Sequence, residues 1–84
     1  VSKTVYTNLY EITDLQQTIV KFITYWVASE KVPVPQKEII EEMKRKGKNG
    51  STVVNALNGL LRLGYIRRAV MVSNKTSYVQ LRRI

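Results

Sequence analysis

The chain has 84 residues, 44% hydrophobic and 24% charged, with a formal net charge of +8. At this size it reads as one folded domain burying only about 60% of its unfolded surface, too small for a large enclosed active site and too apolar for a disordered tail. It holds no cysteine and no histidine, which excludes disulfides, thiolate and imidazole metal sites, cysteine nucleophiles and every histidine-dependent triad.

Residues 1–12 are rich in β-branched and aromatic types without a clear period, and are assigned to an N-terminal extension available for a dimer contact. Thr13-Asp14-Leu15-Gln16 has the form of a capping box, so a first helix is predicted over 13–30. Leu15, Ile19, Phe22, Ile23 and Trp26 recur at helical spacing as its apolar stripe, widened by Val20 and Val27, and Trp26 is assigned to the core. So broad an arc calls for cover from a partner subunit or from the N-terminal segment.

Lys31-Val32-Pro33-Val34-Pro35 reads as a connector, with Pro35 suited to the first position of a second helix over 35–46. Ile39, Ile40 and Met43 form that helix's inward face, and its charges run from Glu38, Glu41 and Glu42, outward and early, to Lys44, Arg45 and Lys46 late, in accord with the macrodipole. Gly47-Lys48-Asn49-Gly50 is the short glycine-containing turn of a helix-turn-helix. A third helix follows over 50–63, with Asn49, Gly50 and Ser51 as equal cap candidates and Gly64 as its left-handed stop. Residues 65–84 read as a β-hairpin turning at Ser73-Asn74-Lys75-Thr76.

Charge is placed unevenly along this order. Residues 1–42 carry four bases and all six acids, whereas residues 43–84 carry ten bases and no acid. A one-sign basic half on a small domain is the electrostatic footprint of a polyanion binder. On the third helix, Val53, Leu57 and Leu60 share one side with Ala56, Leu61 and Leu63 beside them, while Ser51, Asn55, Asn58 and Arg62 fall within roughly 60° of one another on the other. Asn pairs bidentately with adenine and Arg with guanine, and a hydroxyl serves either, so Ser51, Thr52, Asn55, Asn58 and Arg62 are the predicted base-reading set. Lys44, Arg45, Lys46, Lys48 and Asn49 before the helix, with Arg67, Arg68, Asn74 and Lys75 in the hairpin, are the predicted backbone and wing contacts. Lys75, at the hairpin tip, is the one placed to skirt the minor groove. Arg82 and Arg83 are weaker candidates, because consecutive strand residues point to opposite faces. Gly59 in mid-helix costs about 1 kcal/mol against alanine, which implies that something approaches closely there.

These residues carry a resemblance. Ile12-Thr13-Asp14-Leu15-Gln16-Gln17, then Val32-Pro33-Val34-Pro35-Gln36-Lys37-Glu38-Ile39, then Ser51-Thr52-Val53 with Leu57, Leu60 and Gly64-Tyr65-Ile66, resemble a winged helix-turn-helix domain. Among its branches they are most similar to the DNA-binding domain of the LexA repressor and to MarR-like regulators, over about residues 12–84. The resemblance implies an α+β fold, a three-helix bundle followed by a C-terminal β-hairpin wing. It further implies double-stranded DNA binding with the third helix in the major groove, and a homodimer on a palindromic site. A downstream self-cleaving or ligand-sensing domain of the LexA kind is not expected, so neither protease chemistry nor an inducer is predicted. Similarity to Z-DNA-binding winged helices is weaker, because Asn58 stands where their tyrosine is expected and the wing lacks their proline pair and tryptophan.

The leading expectation is therefore a small dimeric transcriptional regulator, paired through helix one and the N-terminal segment and binding double-stranded DNA without cofactor, metal or membrane. The alternative is a protein-interaction or architectural winged helix within a replication, transcription or viral assembly, since fold does not dictate function. An enzyme is not expected: Glu38 and Glu42 lie one turn apart, but such a pair reads as a solvated helix face. No apolar run approaches the roughly 18 residues of a bilayer span and no signal peptide is evident, so a cytoplasmic, nucleoid-associated location is expected. A chain beginning at Val1 is expected to have lost its initiator methionine or further upstream residues.

Overall fold

A computed structural model describes residues 12–70 and 76–81. The elements run α1 (Asp14–Glu30), β1 (Val34–Pro35), α2 (Gln36–Arg45), α3 (Gly50–Leu63), β2 (Ile66–Val70) and β3 (Thr76–Gln80). Three helices pack together, and a three-stranded antiparallel sheet in the order β1-β3-β2 closes one side.

The capping box at the start of α1 is formed in full: Thr13 Oγ1 accepts from the Gln16 N–H at 3.1 Å, and the Thr13 N–H donates to Gln16 Oε1 at 2.9 Å. The helix stops at Lys31, which takes a left-handed φ of 63° as its N–H donates to the Val27 carbonyl. Ile19, Val20 and Ile23 are fully buried, whereas Leu15, Phe22, Trp26 and Val27 pack only partly against the core. The buried stripe is thus rotated by roughly 60° from the expected one, toward Val20. Trp26, assigned to the core, packs against it partly buried. Its ring lies 5.9 Å from Phe22 at the edge of the helix, and Nε1 is buried without a hydrogen-bond partner among the described residues.

The expected connector holds a strand. Val34 is fully buried and pairs with Tyr78, while Pro35 pairs with Ser77, so the predicted hairpin is two strands of a three-stranded sheet. Pro35 is not the first helical residue, because its ψ of 143° keeps it extended as the N-cap of α2, without a side-chain cap bond. A proline is tolerated there because β1 is an edge strand and needs no ladder bond from that nitrogen. In α2, Ile39 and Met43 are fully buried and Ile40 partly so.

The turn between α2 and α3 is closed by backbone bonds. The Lys46 and Lys48 N–H groups both donate to the Met43 carbonyl at 3.0 Å, with Gly47 at a φ of 87° between them. Asn49 caps α3: its Oδ1 accepts from the Thr52 N–H at 2.8 Å and from the Ser51 hydroxyl at 2.9 Å. That choice among three candidates follows from reach, since an Asx oxygen at the N-cap meets the N3 amide and a glycine has none to offer. Val53, Ala56, Leu57 and Leu60 are buried, and Gly64 ends the helix at a φ of 82°. Leu63 is 41% exposed and does not flank the core as its helical angle suggested, because it sits in the last turn where the chain leaves for β2.

Beyond Gly64, Tyr65 and Ile66 are buried, and β2 pairs with β3 from Ile66↔Gln80 to Val70↔Thr76. Ser77, fully buried in the central strand, donates its hydroxyl to the Ala69 carbonyl. The core therefore lies between all three helices and the sheet, which leaves one long face of α3 outside it.

Candidate nucleic-acid interface

The outer edge of α3 carries Ser51, Thr52, Asn55, Asn58 and Arg62, and all five are exposed. They are brought to one side because the four buried residues of the helix claim the other. Ser51 is partly committed: its hydroxyl donates to the capping Asn49, so its oxygen lone pairs rather than its proton remain for another partner. Asn49, expected among the backbone contacts, uses its Oδ1 on the cap and keeps its amide N–H groups outward-available by chemistry. Ahead of them Gly47, Lys48 and Asn49 of the turn are exposed, and no acid occurs in the first turn of α3. A helix N-terminus without a carboxylate is an electropositive end.

The expected phosphate contacts divide into engaged and unengaged groups. Arg45 hydrogen-bonds Glu42, and Lys46 lies 3.9 Å from the same carboxylate. These are the ion pairs among the described residues, and the Arg45 guanidinium holds the Glu42 carboxyl below its ordinary range. Lys44, Lys48, Arg62 and Arg67 are exposed and make no ion pair among the described residues. The first basic cluster is therefore less cationic than its four side chains suggest, because α2 brings Glu42 within one turn of two of them.

Arg67 and Arg68 do not act together. Arg67 stands opposite Val79 and Arg68 opposite Tyr78, so the two guanidinium groups leave opposite faces of the sheet. Arg68 shares its face with the buried Tyr78, whose hydroxyl donates to Gln36 Oε1 at 2.8 Å. Burial pushes the Tyr78 hydroxyl pKa up, and Arg68 works against that rise. This link between β3 and the first turn of α2 was missed in the sequence, since nothing periodic connects residues so far apart. Asn74, Lys75, Arg82 and Arg83, together with the proposed dimer contact of residues 1–11, lie outside the described residues.

Gly59 does mark a close approach. A Cβ there would stand 2.5 Å from Gln16 Nε2, and that same nitrogen donates to the Ala56 carbonyl at 3.2 Å. The face of α3 turned away from the core is thus polar and cationic, while the face turned toward α1 is held by one amide.

Among the described residues no group of three potential metal-ligating side chains gathers, and no helix is long and apolar enough to cross a membrane. The order of three helices, a short strand between the first two, and a closing hairpin is also that of solved transcription regulators. The fold is a winged helix. The winged helix is similar in structure to MepR, a transcription regulator of the Staphylococcus aureus multidrug efflux pump MepA, with a TM-score of 0.68 and 22% identity over 90% of this chain and 52% of that one. It is similar to a MepR variant bound to an oligodeoxyribonucleotide, with a TM-score of 0.67 and 22% identity over 88% of this chain and 51% of that one. MepR is a MarR-family winged-helix regulator, one of the two branches that the sequence motifs resemble. The chain spans about half the length of these neighbours. No family model matches the chain, and no curated protein does.

Proposed function

We propose that the chain binds double-stranded DNA sequence-specifically, as the reading unit of a small transcription regulator working on the nucleoid. The observation that carries this is the exposed edge of α3, where Ser51, Thr52, Asn55, Asn58 and Arg62 lie side by side with no acid among them. In the major groove Asn55 and Asn58 would pair with adenine edges and Arg62 with guanine, while Ser51 would accept from a base and Thr52 would accept or donate. Lys44 and Lys48 before the helix and one of Arg67 and Arg68 on the sheet would hold phosphates, fixing register without reading sequence. That a structurally similar MepR variant is bound to an oligodeoxyribonucleotide supports DNA as the partner.

The regulator acts as a homodimer on a palindromic site, paired through α1 and the N-terminal segment. The support is the outer flank of α1, where Tyr25 is 72% exposed beside the half-buried Phe22 and Trp26, an apolar strip suited to another protein surface.

Fluorescence anisotropy of a labelled random duplex across a salt titration, followed by selection of bound sequences, tests the proposal. A log–log slope of several phosphates at roughly −0.9 each, with enrichment of a palindrome, is expected. Salt-dependent binding without an enriched motif would leave an architectural role, and no binding would leave a protein-interaction module.

A further inference from the structure

Buried apolar residues of α1 and α3 meet in the common core, and apolar contact is non-directional: it holds two helices together without setting how far one is turned against the other. A polar group crosses between them. Gln16 Oε1 accepts from the Thr13 N–H, and Nε2 of the same amide donates to the Ala56 carbonyl on α3. Because an amide is planar and both its ends are engaged, its orientation is dictated by the start of α1 and imposed on the middle of α3. The approach exists only because residue 59, the next turn along α3, has no side chain, since a Cβ would come within 2.5 Å of Nε2.

We infer that Gln16 and Gly59 form a register lock, in which Gln16 is a positioning residue that sets the rotation of α3 and thereby the aim of Asn55, Asn58 and Arg62. This rests on the DNA-reading role proposed above. Gly59 lies one turn from both Asn55 and Arg62, so the lock borders the face that carries those three residues, and it acts through the placement of α3. Its sequence signature is a capping-box glutamine paired with a mid-helix glycine.

The test separates lock from reading. Gly59→Ala is expected to displace the Gln16 amide, so that its helix-propensity gain is cancelled or reversed in the native chain and appears in full as a raised melting temperature in the Gln16→Ala background. Gln16→Glu keeps the capping acceptor but sets an oxygen against the Ala56 carbonyl. It is expected to reduce the affinity ratio between a selected and a random duplex by about tenfold while leaving the salt slope unchanged, because the phosphate contacts are elsewhere. Additive melting temperatures in the four-member cycle would overturn the lock. Coupled melting temperatures with an unchanged affinity ratio in Gln16→Glu would overturn its role in positioning. A native chain that distinguishes no sequence would overturn the reading role and this positioning with it, while the melting cycle would still decide whether the contact exists.

Discussion

The outer faces of α1 and α3 are built by the same rules and end up chemically opposed. Both helices start at a side-chain cap and stop at a left-handed residue, and both bury a stripe against the same core. What α1 leaves outside is aromatic and aliphatic, with Tyr25 exposed and Phe22 and Trp26 half-covered, whereas α3 leaves amides, hydroxyls and one guanidinium. An apolar flank gains by excluding water with another protein, and a polar, acid-free flank beside unpaired lysines gains by neutralising phosphates. The difference teaches that one small core leaves two chemically distinct surfaces, each made of the residues that the core does not use.

The largest effects come from the side the two helices share. Ile23→Ala and Leu60→Ala each remove a fully buried side chain, and each is expected to lower stability by about 2–5 kcal/mol in denaturant unfolding. By contrast Tyr25→Ser, on the outer face of α1, is expected to change monomer stability by less than about 0.5 kcal/mol and to weaken self-association measured by sedimentation.

On the outer face of α3, Asn55→Ala and Arg62→Ala are each expected to cost about 1–3 kcal/mol on a selected duplex and little on a random one. Lys48→Ala is expected to weaken all duplexes alike and to reduce the salt slope by about one. Equal losses on both duplexes for all three variants would erase the distinction between reading and gripping. Glu42→Gln, which releases Arg45 and Lys46, is expected to tighten binding about 2- to 5-fold at low salt, as seen in the same titration.

Tyr78 gives a pH-dependent effect that belongs to the frame holding both helices. Its pKa is raised in the folded chain, so the stability tied to its protonated hydroxyl is intact below the ordinary tyrosine value of about 10 and is lost as pH rises through the folded value. Tyr78→Phe is expected to flatten that alkaline loss in a pH series of unfolding curves. The smallest expected effect is at the end of α1: Lys31→Gly, which relieves a left-handed backbone at a residue with a Cβ, is expected to raise stability by about 0.5–1 kcal/mol.

The three helices were legible in the sequence because their signals are local. Thr13 with Gln16, the glycine-bracketed turn and Gly64 all act within a few residues, and each falls where the structure uses it. Strand β1 was not legible, because two residues hold no period and the prolines around Val34 are equally at home in a connector. Val20 was read only as widening the α1 stripe, whereas with Ile19 and Ile23 it is fully buried, because spacing along α1 does not say where other elements cover it. The outer edge of α3 was readable as a pattern, but the pairing of Arg45 with Glu42 and the opposite facing of Arg67 and Arg68 needed the fold. Gly59 was legible as an anomaly, whereas its partner on another helix was not.

The central claim is tested most directly by amide chemical-shift mapping of the labelled chain as a selected duplex is added. The largest shifts are predicted at Lys48 through Thr52 and at Asn55, Asn58 and Arg62, with Tyr25 and its neighbours on the outer face of α1 unmoved. Shifts concentrated along α1, with α3 silent, would contradict the assignment of α3 as the reading element.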